Sequence, residues 1–538
     1  MDSILCDELL EEVLRRLPPR STLSSHTAVD VSLVSKRWLR LHRSSRSTLS
    51  LRLSPDNCTP LSLSSFLSHF PHLSSLKITI FGPIRTAHDT SNFSDRLLSS
   101  VASTCPPELA HLCLQRMPVS LSPLLSLSTS CPHLTSLSIS LSLSRPLSFH
   151  WLLSFPSLRQ LDLFSVRLAA KFEHVDAASM GDNLDGELKL ETLSLTGIRC
   201  GDCGLDGLWK SCKKLKKLQL RRCRGIGDDT SVSSFNNCLK CLQEVELRCC
   251  ESIGNYILTR LVESCTSLNS LLIHSRDYGY REGLLQFITH SSCNLQKLDL
   301  YLPRDLQDNH LLAVAEKFRD LLSLRLCSCL LVSHEGLTTM ALAMSNSNKL
   351  EELALIDCDV EPGLLTTLGQ SFRNLRKLEL SYSDNLADEE FISMLASLNC
   401  LRELNVRGCK GLTNASVVSM FKSCEQLETV DLSDRGRVMD SILCDELLEE
   451  VLRCLPPRST LSSHTAADIS LVSKRWLRLH RSSRSTLSLR LSPDNCTPLS
   501  LSSFLSHFPH LSSLKITIFG PIQTAHDTSS FSVLEKCT

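Results

Sequence analysis

Hydrophobic positions recur along the chain in a short pattern, Leu-x-x-Leu-x-Leu, in which Val or Ile sometimes replaces a leucine. Alternate residues of a strand point to opposite faces, so each copy predicts a short strand with one apolar face. Ten clear copies follow one another at separations of 25 to 29 residues, and four weaker copies precede them. The clear copies open at Leu190, Leu215, Leu242, Leu268, Leu295, Leu321, Leu350, Leu375, Leu401 and Leu427, and the weaker ones at Leu73, Leu109, Leu134 and Leu158.

Between the predicted strands, the spacing of apolar residues changes to that of a helix. Phe391, Met394, Leu395 and Leu398 would share one buried helix face. One strand and one helix per unit, at this interval, is typical of leucine-rich repeats, which span roughly 20 to 29 residues. We therefore predict an α/β solenoid over residues 49–432, with about 14 repeats. In the expected horseshoe, parallel strands line the inside, helices line the outside, and a loop is inserted near residues 173–187.

The first 94 residues of the chain return at residues 439–532 with five substitutions. The second copy starts at Met439, the counterpart of Met1, and diverges after Ser532. Either this copy covers the end of the solenoid, or it records a fused gene or a read-through of tandem genes. Fusion is favoured, because a solitary repeat cannot form a stable solenoid. The predicted organisation is a helical module at 1–48, the solenoid, a junction at 433–438, a second helical module at 439–486 and a truncated partial repeat at 487–538.

The composition shows no global bias towards a charged or apolar partner. The chain has 538 residues, 57 Lys and Arg, 57 Asp and Glu, and 42% hydrophobic residues. It is long enough to bury a large core. The acidic start and the lack of a run of about 18 apolar residues argue against a secretory signal and a membrane span. We expect a cytoplasmic or nuclear protein that does not bind membrane and for which nucleic acid is an unlikely partner.

The 25 cysteines are expected to be reduced thiols, because the chain is long and lacks a predicted secretory signal. Two pairs, Cys200 with Cys203 and Cys238 with Cys241, suggest zinc, but neither has the second pair that a tetrahedral site needs. We therefore predict no metal and no cofactor. Small buried thiols in a recurring turn are the simpler interpretation. Five lie eight residues after the opening leucine, where this repeat carries Asn or Cys: Cys223, Cys250, Cys329, Cys358 and Cys409.

The N-terminal module is predicted to contain two short helices, which Asp7 and Asp30 can cap. Some forty residues bury too little apolar surface to be stable alone, so a partner or the solenoid must cover the rest. The segments Leu5–Leu10 and Val31–Trp38, read as LCDELL and VSLVSKRW, resemble an F-box. An F-box followed by cysteine-containing leucine-rich repeats resembles the plant-type F-box/LRR proteins, which are substrate receptors of SCF ubiquitin ligases.

The resemblance implies that the F-box docks on a Skp-type adaptor, which connects it to cullin and RING subunits. The repeats would hold an unknown target for ubiquitination, and the chain itself would not be an enzyme. The alternatives are an interaction scaffold without ligase recruitment, or a hormone-receptor-like protein assisted by a small molecule. Ten residues are expected to contact the adaptor or, for about half of them, to contact the F-box's own helices. These are Leu5, Leu9, Leu10, Val13, Leu14, Leu17, Pro18, Leu33, Val34 and Trp38.

The densest charge lies at Lys213–Arg224. It can be a solvated repeat face, the favoured interpretation, or a nuclear-localisation or nucleic-acid patch. In a further interpretation, Lys217, Arg221, Arg222 and Arg248 form a basic floor that binds phosphate, an acidic degron or a small anionic ligand. Carboxylates on other strands lack the histidine or nucleophile of a catalytic site, so we interpret them as recognition residues. They are Glu244, Glu246, Asp299, Glu352, Glu379, Glu403 and Asp431.

Overall fold

A computed structural model describes most of the predicted solenoid and two short strands of the C-terminal copy. The described residues are 36–54, 58–81, 87–142, 149–166, 186–198, 205–225, 232–276, 278–345, 349–424, 426–431, 486–491 and 513–518. They fall into two compact units. The first unit runs to Ser323 and includes Cys329–Leu331, and the second comprises Leu324–Ser328 and the chain from Val332 onwards.

The first unit contains a parallel sheet whose strands pair in the order of the chain. Its strands are β1 (Thr48–Leu53), β2 (Ser75–Ile80), β3 (His111–Val119), β4 (Ser136–Ser142), β5 (Gln160–Val166), β6 (Thr192–Thr196), β7 (Lys217–Arg221), β8 (Glu244–Arg248), β9 (Ser270–His274) and β10 (Lys297–Tyr301). Equivalent repeat positions are aligned across neighbouring strands. Leu218 of β7, for example, pairs with Val245 of β8.

Helices connect these strands and cover the apolar face of the sheet. They are α1 (Lys36–Ser44), α2 (Pro60–Leu67), α3 (Ala87–Thr104), α4 (Leu121–Ser130), α5 (Leu205–Ser211), α6 (Val232–Leu239), α7 (Glu251–Ser264), α8 (Arg281–His290) and α9 (Asp308–Lys317), with a 3-10 helix at His150–Ser154. Each repeat buries its leucines against the next one. Leu218, Leu220 and Trp209, for instance, are at most 1% exposed.

The second unit repeats the same alternation of strand and helix. Its elements are β11 (Ser323–Cys327), α10 (His334–Met344), β12 (Glu352–Ile356), α11 (Leu364–Ser371), β13 (Lys377–Glu379), α12 (Asp388–Ser397), β14 (Glu403–Asn405), α13 (Asn414–Ser423) and β15 (Thr429–Asp431). The strands β12 to β15 pair in parallel in chain order. On α12, Phe391, Met394 and Leu395 are buried, as their helical spacing predicts.

The leucine pattern locates the strands correctly. Each of β2 to β15 starts two residues after one of the fourteen predicted opening leucines. The prediction of an α/β leucine-rich-repeat fold with parallel strands is therefore confirmed. One strand, β1, is additional. Two residues before it, where the pattern expects the opening leucine, the chain has Arg46. A search based on the opening leucine could not find it.

Each repeat turns sharply just after its strand. The residue seven places after the opening leucine often has a left-handed backbone, as at Gly197 (φ 75°), Arg222 (φ 53°), Cys249 (φ 52°) and Ser328 (φ 49°). Its N–H donates to a carbonyl at the end of the next strand, as from Arg222 to Arg248 at 2.8 Å. The left-handed turn thereby extends the parallel pairing beyond the strands.

The next residue of the turn is the predicted buried cysteine. The Cys223 and Cys250 thiols are fully buried and donate to the carbonyl oxygens of Leu195 and Leu220, 3.2 and 3.4 Å away. Each acceptor belongs to the preceding repeat. Cys409 makes the same contact to the Leu380 carbonyl oxygen at 2.9 Å. These thiols thereby donate hydrogen bonds from the turn of one repeat to the strand of the repeat before it.

In the C-terminal copy, β16 (Thr486–Leu491) and β17 (Ser513–Ile518) pair in parallel. Thr486 aligns with Ser513, as Thr48 aligns with Ser75 in β1 and β2. The sequence pattern predicts one partial repeat here, whereas the structure has two paired strands. The pattern does not detect β16, because β16 lacks the opening leucine just as β1 does. Most of the loop predicted near 173–187, the junction and most of both helical modules lie outside the described residues.

Within the segments that the structure describes, no helix combines the length and the apolar character needed to cross a bilayer.

Candidate functional site

The polar face of the sheet in the first unit carries the charged residues that the sequence singled out. On β7, Lys217, Gln219 and Arg221 point outward, whereas Leu218 and Leu220 are buried. From β5 to β10, the strand register aligns the outward residue that lies six places after each opening leucine with its counterparts on the neighbouring strands. We call the resulting line the arginine row: Phe164, Thr196, Arg221, Arg248, His274 and Tyr301.

At the start of the strands, the charge of Lys217 is paired. Its Nζ lies 2.6 Å from Oε2 of Glu244 on β8. Both side chains are more than one third exposed. A pair of this kind contributes about 0–1 kcal/mol to stability. Lys217 is therefore not a free cation, and an anionic ligand would compete with Glu244 for it.

Glu246 is the centre of the charged face. Its carboxylate accepts hydrogen bonds from Gln219 (2.6 Å), Arg221 (2.8 Å) and Arg248 (2.5 Å). Only 13% of the side chain is exposed. Partial burial raises the pKa of this carboxyl, but the Arg248 hydrogen bond and the charges of both arginines outweigh it, so the pKa lies below the ordinary value. Glu246 is thus a partly buried acceptor shared by two arginines.

A polar chain continues from Arg248 across β9 to β10. Arg248 Nη1 lies 2.8 Å from Nδ1 of His274, and His274 Nε2 lies 2.8 Å from Oδ1 of Asp299. The His274 ring also meets the Tyr301 ring edge-to-face, with centroids 6.1 Å apart. Side chains from β7, β8, β9 and β10 are consequently connected in one network.

The structure brings together three of the four predicted anion-binding residues. Lys217, Arg221 and Arg248 lie on the polar face, with Arg221 and Arg248 in the arginine row. Arg222 does not join the row, because it occupies the left-handed turn after β7, where its side chain is exposed. The sequence predicts a uniformly basic floor, but in the structure Glu244 and Glu246 lie on the same face beside the basic residues. Binding of an anion there stays a prediction.

Residues that sequence reasoning missed complete the row. Phe164, His274 and Tyr301 stand at the same strand position as Arg221. The signal was present, because each lies six residues after its opening leucine. Further arginines follow the strand ends. Arg224, Arg276 and Arg304 are exposed, and Arg304 stacks over the Tyr278 ring at 5.3 Å.

The second unit has its own groove on the polar face, of about 350 Å³. Lys377 lies 3.0 Å from Glu403 and 3.5 Å from Glu352, and Arg325 lies 3.0 Å from Glu379. The hydrogen bond with Glu403 raises the pKa of the Lys377 ammonium above its ordinary value. Together with Asp431, these lining residues place four predicted recognition carboxylates along one groove.

The predicted adaptor-binding residues are described only in part. Trp38 is half-buried on α1, which ends four residues before β1 begins. Helix α1 therefore leads directly into the first strand of the solenoid. The other nine lie outside the described residues: Leu5, Leu9, Leu10, Val13, Leu14, Leu17, Pro18, Leu33 and Val34.

The cysteine pair considered for zinc differs in exposure. Cys238 is buried on α6, and burial, with a smaller effect of nearby Cys241, raises its pKa to about 12. Cys241 is exposed. Zinc binds the thiolate, and burial keeps Cys238 protonated. Cys200 and Cys203 lie outside the described residues.

No family model matches the sequence. Among solved structures, the chain is similar to one described as the complex of Rad7 and Elc1 in yeast. The TM-score is 0.38 with 18% identity, covering 80% of this chain and 90% of that chain. It is also similar to the tropomodulin C-terminal domain of Caenorhabditis elegans, with a TM-score of 0.22 and 19% identity over 27% of this chain and 93% of that chain. The leucine-rich-repeat fold rests on the chain's own strand order and register.

Proposed function

We propose that this chain is a substrate receptor of an SCF-type ubiquitin ligase. The observation that carries the proposal is the segment Ser32-Leu33-Val34-Ser35-Lys36-Arg37-Trp38, which resembles the F-box and leads into α1 and then into the first strand of the repeats. A module too small to be stable alone is suited to docking on a partner. That partner would be a Skp-type adaptor, which connects to cullin and RING subunits.

In this proposal the repeats bind the target protein. A row of partly exposed Arg, His and aromatic side chains has the composition that dominates binding energy at protein interfaces. The hydrogen bonds to Glu246 place the two arginine heads side by side on the polar face. The receptor performs no chemistry itself. It contributes proximity between target lysines and the ubiquitin-charged enzyme.

Co-purification tests the proposal. The full chain is expressed with an affinity tag in plant cells, and the recovered proteins are identified by mass spectrometry. We expect a Skp-type adaptor and a cullin in stoichiometric amounts. If both are absent while the chain is folded, the ligase proposal fails, and the scaffold interpretation, in which repeats bind proteins without recruiting a ligase, replaces it.

A further inference from the structure

We infer that the arginine row binds an extended segment of the target that carries one acidic side chain, which Arg221 and Arg248 receive together. This inference rests on the proposed function, because it names the chemistry of the segment that the receptor would hold. It starts from an imbalance between donors and acceptors. Two guanidinium groups share the single carboxylate of Glu246.

The imbalance leaves donors available. The Arg221 and Arg248 side chains are 42% and 38% exposed. Arg221 donates to Glu246 through Nη2, while its Nε is covered and has no hydrogen-bond partner among the described residues. The covered Nε is out of reach of a ligand, so the exposed ends of the two guanidinium groups are the donors that a second acceptor would meet. Guanidinium groups match carboxylates because both are planar and can form two parallel hydrogen bonds.

The neighbouring residues select a single anionic group rather than a polyanion. Glu244 and Glu246 on β8 and Asp299 on β10 lie on the same face as the arginines. A nucleic-acid backbone, with a charge at every step, would meet these carboxylates as well as the arginines. A peptide can place one carboxylate on the arginines and neutral residues on either side.

The aromatic residues at the two ends of the arginine row favour a bound segment with apolar residues on both sides of its acidic residue. Phe164 lies two strands before Arg221, and Tyr301 lies two strands after Arg248. From β5 to β10 the row crosses five strand spacings, about 24 Å at 4.8 Å each. An extended chain advances about 3.3 Å per residue, so the row accommodates about seven residues. The segment would carry its acidic residue near the centre and aromatic or aliphatic residues towards its ends.

Selection from a random 12-residue peptide library, displayed on phage, tests the inference on the full chain. We expect the wild-type chain to enrich peptides with a central acidic residue. The double variant Arg221→Ala/Arg248→Ala is expected to bind the best synthetic peptide about tenfold or more weakly, as measured by fluorescence anisotropy. Replacing the acidic residue of that peptide with its amide should give a similar loss.

The matched control is Arg376→Ala/Arg402→Ala, which removes the same charge from the second unit. Both control arginines are about half exposed and pair with Glu351 and Glu428. The control should bind the peptide as the wild type does. Enriched peptides without an acidic residue, or equal binding by both double variants, would overturn the inference. So would displacement of the peptide by a single-stranded oligonucleotide or by inorganic phosphate at the peptide's own concentration, since these would identify another occupant.

Failure of this inference can be separated from failure of the proposed function. Arg221 and Arg248 lie outside the F-box-like module, so the double variant should still co-purify with the adaptor. A chain that retains the adaptor and selects no acidic peptide contradicts the inference alone. A chain that selects acidic peptides and never recruits an adaptor contradicts the ligase proposal alone.

Discussion

Arg248 donates a hydrogen bond from Nη1 to Nδ1 of His274 at 2.8 Å, and this contact determines the tautomer of the histidine. A guanidinium group has only donors, so Nδ1 must be the acceptor. The remaining proton then lies on Nε2, which faces Oδ1 of Asp299 at 2.8 Å. His274 is thus a neutral bridge that connects a cation on one side to an anion on the other.

We predict that His274 is the Nε2–H tautomer in the folded chain. Its Nδ1 should show the nitrogen chemical shift of an unprotonated acceptor in a sample labelled with ¹⁵N-histidine, and the assignment can be made with His274→Gln. A protonated Nδ1 at neutral pH would show that Arg248 does not donate to this ring.

Replacing Glu246 with Gln should strengthen peptide binding and weaken the fold. The change removes the carboxylate that competes for Arg221 and Arg248, so an acidic peptide should bind more tightly. It also removes the charge of a carboxylate that accepts three hydrogen bonds, at a cost of about 1–2 kcal/mol in the free energy of unfolding. Anisotropy and urea unfolding measure the two effects. A weaker peptide affinity in Glu246→Gln would contradict the inference that the arginines receive the acidic group.

The Glu246 carboxyl should also make the free energy of unfolding depend on pH in the acidic range. Its pKa is lower in the folded chain than the ordinary 4.5, so the folded state binds its proton less readily than the unfolded state. The contribution is therefore complete above the ordinary value and is lost as the pH falls through the lower, folded value. Urea unfolding at a series of acidic pH values should show a smaller loss in Glu246→Gln than in the wild type.

Changing each of two adjacent cysteines to alanine should have very different effects on the free energy of unfolding. Cys250 is fully buried and donates to the Leu220 carbonyl, whereas Cys249 is exposed in the left-handed turn. Cys250→Ala should lower the free energy of unfolding by about 1–2 kcal/mol, since it leaves a small cavity and removes the hydrogen bond of the thiol. Cys249→Ala should change it by less than about 0.5 kcal/mol. Equal effects in urea unfolding would show that the thiol contact has no stabilising role.

Buried thiols should also make the fold sensitive to alkaline pH. Burial raises the pKa of Cys105 and Cys238 to about 12, and of Cys131 and Cys424 to about 11. The unfolded chain loses these protons first, so their contribution to stability is complete below about pH 9, the ordinary pKa, and is lost as the pH rises towards 12.

Native alkylation at pH 8, followed by mass spectrometry, should label Cys241 and Cys249 but spare Cys238. Labelling of Cys238 as fast as Cys241 would contradict its burial.

The leucine spacing was sufficient to predict the repeating strands and the solvent-facing residues of each strand. Leu218 and Leu220 are buried, and Lys217 and Arg221 face outward, as alternation requires. Four of the five predicted turn cysteines are buried, because they stand at a constant distance from the opening leucine, whereas Cys358 at the same position is only half-buried. The strand β1 was not, since Arg46 replaces the leucine on which the search depended.

The details of the charged face could not be read from one strand at a time. Whether Arg221 is free or paired depends on Glu246, which is 25 residues away and becomes its neighbour only through the strand register. The position of Arg222 depends on a left-handed turn that charged residues seldom adopt. Periodicity predicts which side chains face outward, while their partners follow from side-chain length and the residues on the next strand.

The central claim is that the N-terminal module recruits a Skp-type adaptor, and native mass spectrometry of the purified complex tests it most directly. The duplication makes a single substitution insufficient, because Trp476 is the counterpart of Trp38 in the second copy. The measurement therefore compares the wild type with Trp38→Ala, Trp476→Ala and the double variant. Circular dichroism and urea unfolding verify that each chain is folded.

We predict that the wild-type chain carries one or two adaptor molecules and that the double variant carries none. Loss in Trp38→Ala alone would assign docking to the first copy, and loss only in the double variant would show that both copies dock. A folded wild-type chain without adaptor, or a double variant that binds as much adaptor as the wild type, would contradict the claim.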